Sequence, residues 1–102
     1  MTLPEPKFNF GEDFQRGILA LMVSNYAFLV TAVDIIKPAY FEDKSLVYFF
    51  KKIRDYFLDY KKIPTKEVIS NELLKDVTNK VISEEDIPTY TDHYKHLWVP
   101  ID

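Results

Sequence analysis

Apolar residues recur at helical spacing along most of the chain, and the first two segments of this pattern predict a pair of helices. The first helix is expected from about Asp13 to Ser24, and its apolar face contains Phe14, Ile18, Leu21 and Met22. Asn25 is a preferred capping residue, so a second helix should begin there and continue to about Ile36. Pro38 ends it, because the residue before a proline is pushed out of the helical region.

The third segment, from about Lys44 to Lys62, has the most regular pattern and begins after a plausible cap, Asp43. When it is stepped at about 100° per residue, seven apolar or aromatic side chains fall within one arc of about 120°. They are Leu46, Phe49, Phe50, Ile53, Tyr56, Phe57 and Tyr60. Charged side chains occupy the opposite side, so this helix should supply the centre of the core.

The remaining third of the chain predicts shorter helices separated by prolines. Pro64 ends the third helix, and Thr65 can cap a fourth one, whose apolar residues Ile69, Leu73 and Val77 recur every four positions. Ser83 and the three acids after it form a capped turn or short helix. A last helix after Pro88 carries Tyr90, Tyr94, Leu97 and Trp98.

Together these segments predict an all-α fold, a compact orthogonal bundle of about four to six helices. Residues 1–11 contain Pro4 and Pro6 and are expected to form an extended lead-in, whereas residues 12–98 form a single helical domain. A length of 102 residues with 47 % hydrophobic and 16 % aromatic residues is sufficient for one globular core. The most apolar window, residues 18–36, is interrupted by polar residues, which favours a buried helical pair over a membrane span.

The charge is distributed unevenly, although the net value is only −3. Residues 37–66 carry +4 and residues 67–102 carry −5, a separation that can favour docking between copies or onto a partner. An acidic chain does not suit tight phosphate contact, and the aromatics and charges of the third helix lie on opposite faces. Direct DNA binding is therefore not expected. The chain has no cysteine, which excludes disulfides and favours a reducing compartment such as the cytoplasm.

No catalytic motif occurs in the chain. With two glycines a phosphate-binding loop is impossible, and no nucleophile elbow or dinucleotide fingerprint is present. His93 and His96 are spaced to bring two imidazoles to one metal on a helix, with Asp92 beside them, but no third ligand is evident. They are interpreted as surface or packing histidines, and no catalytic, cofactor-binding or metal-binding residue is assigned.

A protein interface is the better prospect. On the first helix Leu19 and Val23 are predicted to lie away from the main apolar face. On the third helix a second stripe, also off the core face, contains Val47, Lys51, Arg54 and Leu58. A helix that is apolar on two sides is either fully buried or faces a partner, so these six residues are the candidate interface. The alternative is that Phe8, Phe10 and the C-terminal aromatics cover them.

Three stretches in order, GEDFQRGILALMVSN, VDIIKPAYFEDKSLVYFFKKI and IPTKEVISNELL, resemble the amino-terminal domain of DnaB-like replicative helicases, especially those of tailed phages. The matching positions are Ile18, Leu19, Leu21, Met22 and Asn25, then Ile36, Pro38 and Phe41, then Phe49, Phe50, Ile53 and Phe57, then Pro64, Thr65, Val68, Leu73 and Leu74. The resemblance covers roughly residues 12–75. It departs from the family at Lys44, Ser45 and Leu46, where many relatives have a His-Arg pair, and in the acidic segment 76–102.

The resemblance implies a non-catalytic domain that pairs into dimers, forms the collar of a hexameric ring and contacts primase or a helicase loader. It also implies a downstream ATPase, where ATP and magnesium bind, beyond residue 102. The alternative is a free-standing small helical regulator, of phage or bacterial origin, that binds another protein.

Overall fold

The computed structural model describes residues 11–98 and contains five α-helices and two 3-10 turns in that range, with no strand. The helices are α1 (Glu12–Met22), α2 (Tyr26–Ile35), α3 (Lys44–Tyr60), α4 (Lys66–Thr78) and α5 (Ile87–Leu97), and the turns are Pro38–Tyr40 and Glu84–Asp86. The all-α prediction is confirmed. The expected lead-in, including Phe8 and Phe10, lies almost entirely outside the described residues.

Side-chain caps determine where three helices begin. Asn25 accepts a hydrogen bond of 2.9 Å from the backbone N–H of Phe28, at the start of α2. Asp43 accepts one of 2.8 Å from the N–H of Ser45 at the start of α3, and Thr65 accepts one of 3.2 Å at the start of α4. Each bond satisfies a backbone donor that has no partner inside the helix. The three predicted caps are confirmed.

The core is arranged around the middle of α3, which packs against α1, α5 and the Pro38–Tyr40 turn. Phe49, Phe50 and Ile53 are fully buried there. The ring of Phe41, just after the turn, lies 5.3 Å from the ring of Phe50, and the ring of Tyr90 from α5 lies 6.2 Å from that of Phe49. The apolar face predicted for the third helix is therefore the centre of the fold.

Two residues predicted to be buried are exposed. Phe14 in α1 is 43 % exposed and Tyr60 in α3 is 62 % exposed. Both lie in a terminal turn of their helix. The ring of Tyr60 lies 4.6 Å from the ring of Tyr56 on the same helix.

The apolar pair formed by α1 and α2 is bent by 119° at the break between them. Neither of these helices, nor any other within residues 11–98, has by itself the length and apolar composition to cross a membrane.

Candidate functional site

The six predicted interface residues differ in burial: one is fully buried, two pack against the core and three lie at or near the surface. Leu19 is fully buried among core residues, so the prediction that it faces away from the core is wrong. The reason is that α1 packs against α2, α3 and α5, and a helix with three neighbours buries a broader face than one apolar stripe. Val23 and Val47 are partly buried and pack against the same core.

The other three predicted residues lie at or near the surface of α3. Lys51 is exposed and Leu58 is 50 % exposed. The guanidinium of Arg54 lies 5.8 Å from the centre of the Phe50 ring, and its Nε donates to Oδ1 of Asp55 over 3.0 Å. Arg54 therefore covers the edge of the core with its stem and keeps its charge near solvent.

Within residues 11–98, α2 exposes three large apolar side chains that were not among the predicted interface residues. Six of its ten residues are exposed and form a continuous arc: Tyr26, Ala27, Val30, Thr31, Asp34 and Ile35. Tyr26, Val30 and Ile35 are 50 %, 42 % and 60 % exposed. Asp34 is the only ionisable carboxylate in the arc. The signal was present in the sequence, because α2 has apolar residues on every side and a bundle helix needs them on one side only.

The exposed arc of α2 adjoins the last turns of α3. The ring of Tyr26 packs edge-on against Phe57 at 5.9 Å, and its hydroxyl donates to the carbonyl of Lys61 over 3.4 Å. Leu58 lies between Phe57 and Lys61 in the chain, in the last turn of α3. We use the name α2–α3 surface for six residues on these two helices, Tyr26, Val30 and Asp34 of α2 and Lys51, Arg54 and Leu58 of α3, which are linked by the contact of Tyr26 with Phe57.

A second region of interest is a polar cluster that joins the beginning of α1 to α5. Arg16 is its centre. The guanidinium NH2 group donates to Oδ2 of Asp92 over 2.7 Å and to Oε1 of Glu12 over 3.0 Å, and its Nε donates to Nδ1 of His93 over 3.0 Å. A third guanidinium nitrogen lies 3.4 Å from Nε2 of His96. These contacts hold two helices together that lie far apart in the chain.

His93 is buried in this cluster, with 1 % of its surface exposed, whereas His96 is exposed. Because Nδ1 of His93 accepts from Arg16, the proton of the neutral ring is on Nε2. Burial, and secondly the Arg16 cation, lower the pKa of His93, so the ring is neutral at pH 7. Its Nε2 lies 3.2 Å from Oε1 of Glu12 and 3.9 Å from Oδ2 of Asp43, but without the alignment of a hydrogen bond.

The spacing in the sequence pairs His93 with His96, but the groups that face Nε2 of His93 in the structure are the carboxylates of Glu12 and Asp43. His93 lies on the same side of α5 as the buried Tyr90 and Leu97, at spacings of three and four residues, and this was the available signal of its burial. The partners could not be found in the same way, because they come from α1 and from the cap of α3.

A third polar group joins α3 to α4. The hydroxyl of Tyr48 donates to Oδ2 of Asp76 over 2.6 Å, and Nζ of Lys52 lies 3.1 Å from Asp76 and 3.1 Å from Glu72. Burial of Asp76 favours its neutral form, but the bonds from Tyr48 and Lys52 lower its pKa overall. Burial, followed by the bond to Asp76, raises the pKa of Tyr48. These hydrogen bonds and ion pairs join α3 to α4.

Comparison of the chain with protein-family models, with curated proteins and with solved structures finds no match.

Proposed function

We propose that this chain is a non-catalytic oligomerisation and docking domain, of the type that precedes the ATPase of DnaB-like replicative helicases. The order of the matching motifs over residues 12–75 and the all-helical bundle support this proposal. In this role the domain helps a hexameric ring to assemble and contacts primase or a helicase loader in the cytoplasm. ATP and magnesium belong to a downstream domain.

The observation that carries the proposal is the α2–α3 surface. Tyr26, Val30 and Leu58 expose apolar area on two adjoining helices, and exposed apolar patches of this kind are typical of protein interfaces. Asp34 supplies a negative charge on α2, while Lys51 supplies a positive charge on α3. In the two-fold pairing that we propose, α2 of one copy packs on α3 of the other, and Asp34 pairs with Lys51 twice. The occupant that we propose is therefore a second copy of this chain.

Sedimentation velocity over a range of protein concentrations tests this pairing. Val30→Glu and Leu58→Glu place a charge in the proposed interface and should weaken self-association at least about tenfold, because a desolvated charge in an interface centre is costly. Leu74→Glu is the matched control, since Leu74 on α4 is 62 % exposed and lies outside this surface. All three variants should retain the helical circular dichroism of the wild type.

A charge exchange sharpens the same test. Asp34→Lys should weaken the pairing, and the addition of Lys51→Glu should restore part of it, because the proposed contact recurs with the opposite orientation of charge. A wild-type chain that stays monomeric at every concentration would contradict self-association. So would equal weakening by Leu74→Glu and Val30→Glu.

The helicase assignment has its own test, the coding frame downstream of Asp102. We expect it to continue into a phosphate-binding loop of the form GxxxxGK[ST]. A stop codon directly after Asp102 would contradict the assignment and favour the alternative function, a free-standing regulator that binds another protein.

A further inference from the structure

Three side chains that are common metal ligands converge from three separate elements of the fold. Glu12 is the first residue of α1, Asp43 is the cap of α3, and His93 lies within α5. One ligand atom from each lies within 4.8 Å of the other two. We propose that Glu12, Asp43 and His93 form a binding site for a divalent first-row transition-metal ion, with Zn²⁺ as the ion that fits best.

The buried imidazole distinguishes this cluster from an ordinary group of surface acids. His93 is 1 % exposed, its Nε2 is buried and has no hydrogen-bond partner among the described residues, and the two carboxylates are its nearest anionic groups. An unpaired polar atom in the interior is costly, and a metal ion would satisfy it. One imidazole and two carboxylates form a ligand set that suits zinc.

The distances suit the ion with little movement. Ligand atoms at about 2.1 Å from a tetrahedral zinc are about 3.4 Å apart. The Nε2–Oε1 distance to Glu12 is 3.2 Å, and the Nε2–Oδ2 distance to Asp43 is 3.9 Å. Shortening the second distance requires a small movement of Oδ2 of Asp43, whose side chain is 41 % exposed, while Oδ1 of the same carboxylate stays bonded to Ser45 as the cap of α3. A cavity of about 300 Å³ adjoins the two carboxylates and gives the ion an entry and a place for water as its fourth ligand.

Binding of the ion to His93 requires that one hydrogen bond of Arg16 be broken. The Nε of Arg16 donates to Nδ1 of His93, and this bond leaves the imidazole proton on Nε2. When the ion takes Nε2, the ring must carry its proton on Nδ1, so Arg16 gives up this bond. It keeps the bonds of 2.7 Å to Asp92 and of 3.0 Å to Oε1 of Glu12, because a carboxylate oxygen can accept a hydrogen bond and bind an ion at the same time. The proton changes position on a neutral ring, and none is released from His93. Metal binding is therefore coupled to a rearrangement of the link between α1 and α5.

Titration of the full chain with zinc chloride, followed by calorimetry, tests the site. Glu12→Gln and Asp43→Asn remove one ligand each and should weaken binding at least about tenfold. Asn is as good a cap as Asp, so Asp43→Asn should preserve the start of α3. Asp13→Asn is the matched control, because Asp13 is the next acid along α1 and its fully exposed carboxylate contacts Arg16 at 3.7 Å without being one of the three proposed ligands.

Nitrogen NMR of the histidine side chains shows which ring holds the ion. Zinc should shift Nε2 of His93, and His96→Gln should leave the affinity within about twofold of the wild type. Loss of binding in His96→Gln with full binding in Glu12→Gln would instead assign the ion to the exposed pair of His96 and Asp92, and would overturn the proposal. The absence of any heat or spectral change, or equal binding by wild type and Glu12→Gln, would also overturn it.

Discussion

Replacing Phe50 and Tyr60 separately by alanine tests whether the packing on α3 is as described. Both are aromatic residues of one helix and belong to the same predicted apolar face, yet Phe50 is fully buried and Tyr60 is 62 % exposed. A buried phenylalanine ring covers about 175 Å², which at about 25 cal/mol per Å² is worth about 4 kcal/mol. Mutational series for buried phenylalanine give a similar range of about 3–5 kcal/mol.

The same arithmetic gives Tyr60 about 1.5 kcal/mol, because most of its ring is already in water. Alanine is about 0.5 kcal/mol better than tyrosine in a helix, so Tyr60→Ala should cost about 1 kcal/mol or less. Urea unfolding followed by circular dichroism measures both free energies of unfolding, provided that the m-value is unchanged. An equal cost for the two variants would refute the packing of α3. A cost below about 1.5 kcal/mol for Phe50→Ala would refute the burial of that ring.

Two further predictions concern α4. The lowered pKa of Asp76 means that its contribution to stability is present above the unfolded-state pKa of about 3.9 and is lost as the pH falls through the folded-state pKa. The urea concentration at the midpoint of unfolding should therefore decrease more between pH 5 and about pH 3 in the wild type than in Asp76→Asn. An equal decrease in the two proteins would contradict a stabilising role for the contacts of Asp76 with Tyr48 and Lys52. Lys80 follows α4 with a left-handed φ of 60°, and the N–H of Val81 bonds to the carbonyl of Asp76 over 2.9 Å. Glycine is preferred at this position of a helix end, so Lys80→Gly should stabilise the folded protein by about 1 kcal/mol. The melting temperature should rise by about 4 °C or more. An unchanged melting temperature would contradict the left-handed conformation of Lys80.

The helices could be predicted because their limits depend on neighbouring residues in the chain. Asn25, Asp43 and Thr65 each bond to a backbone N–H two or three positions further on, and Pro38 and Pro64 act on the residue before them. Burial at helix ends could not be predicted in the same way. Tyr60 continues the apolar period of α3, but its exposure depends on whether another element extends far enough to cover it.

The polar cluster shows a different limit of sequence reasoning. Arg16 and His93 are 77 positions apart, and Glu12 and Asp43 belong to two further local patterns, each explained as a charge at a helix start. The acid or imidazole at each position has an adequate local explanation, so nothing in the chain marks the group as one site. Only the packing of α1, α5 and the start of α3 against one another brings these atoms close together.

The proposed docking surface includes α2 and excludes α1, unlike the interface predicted from the sequence, for a related reason. Periodicity identifies a helix that is apolar on two sides, but it cannot tell which side the neighbours will cover. For α1 the neighbours cover both sides, so Leu19 is buried. For α2 they cover only the side of Leu29 and Ala32, and Val30 and Ile35 remain in solvent. The α3 residue Leu58 lies beside this open side, because Tyr26 packs on the adjacent Phe57. Val30 lies in the middle of the exposed side of α2, whereas Leu58 lies in the last turn of α3. Val30→Glu should therefore weaken docking at least as much as Leu58→Glu.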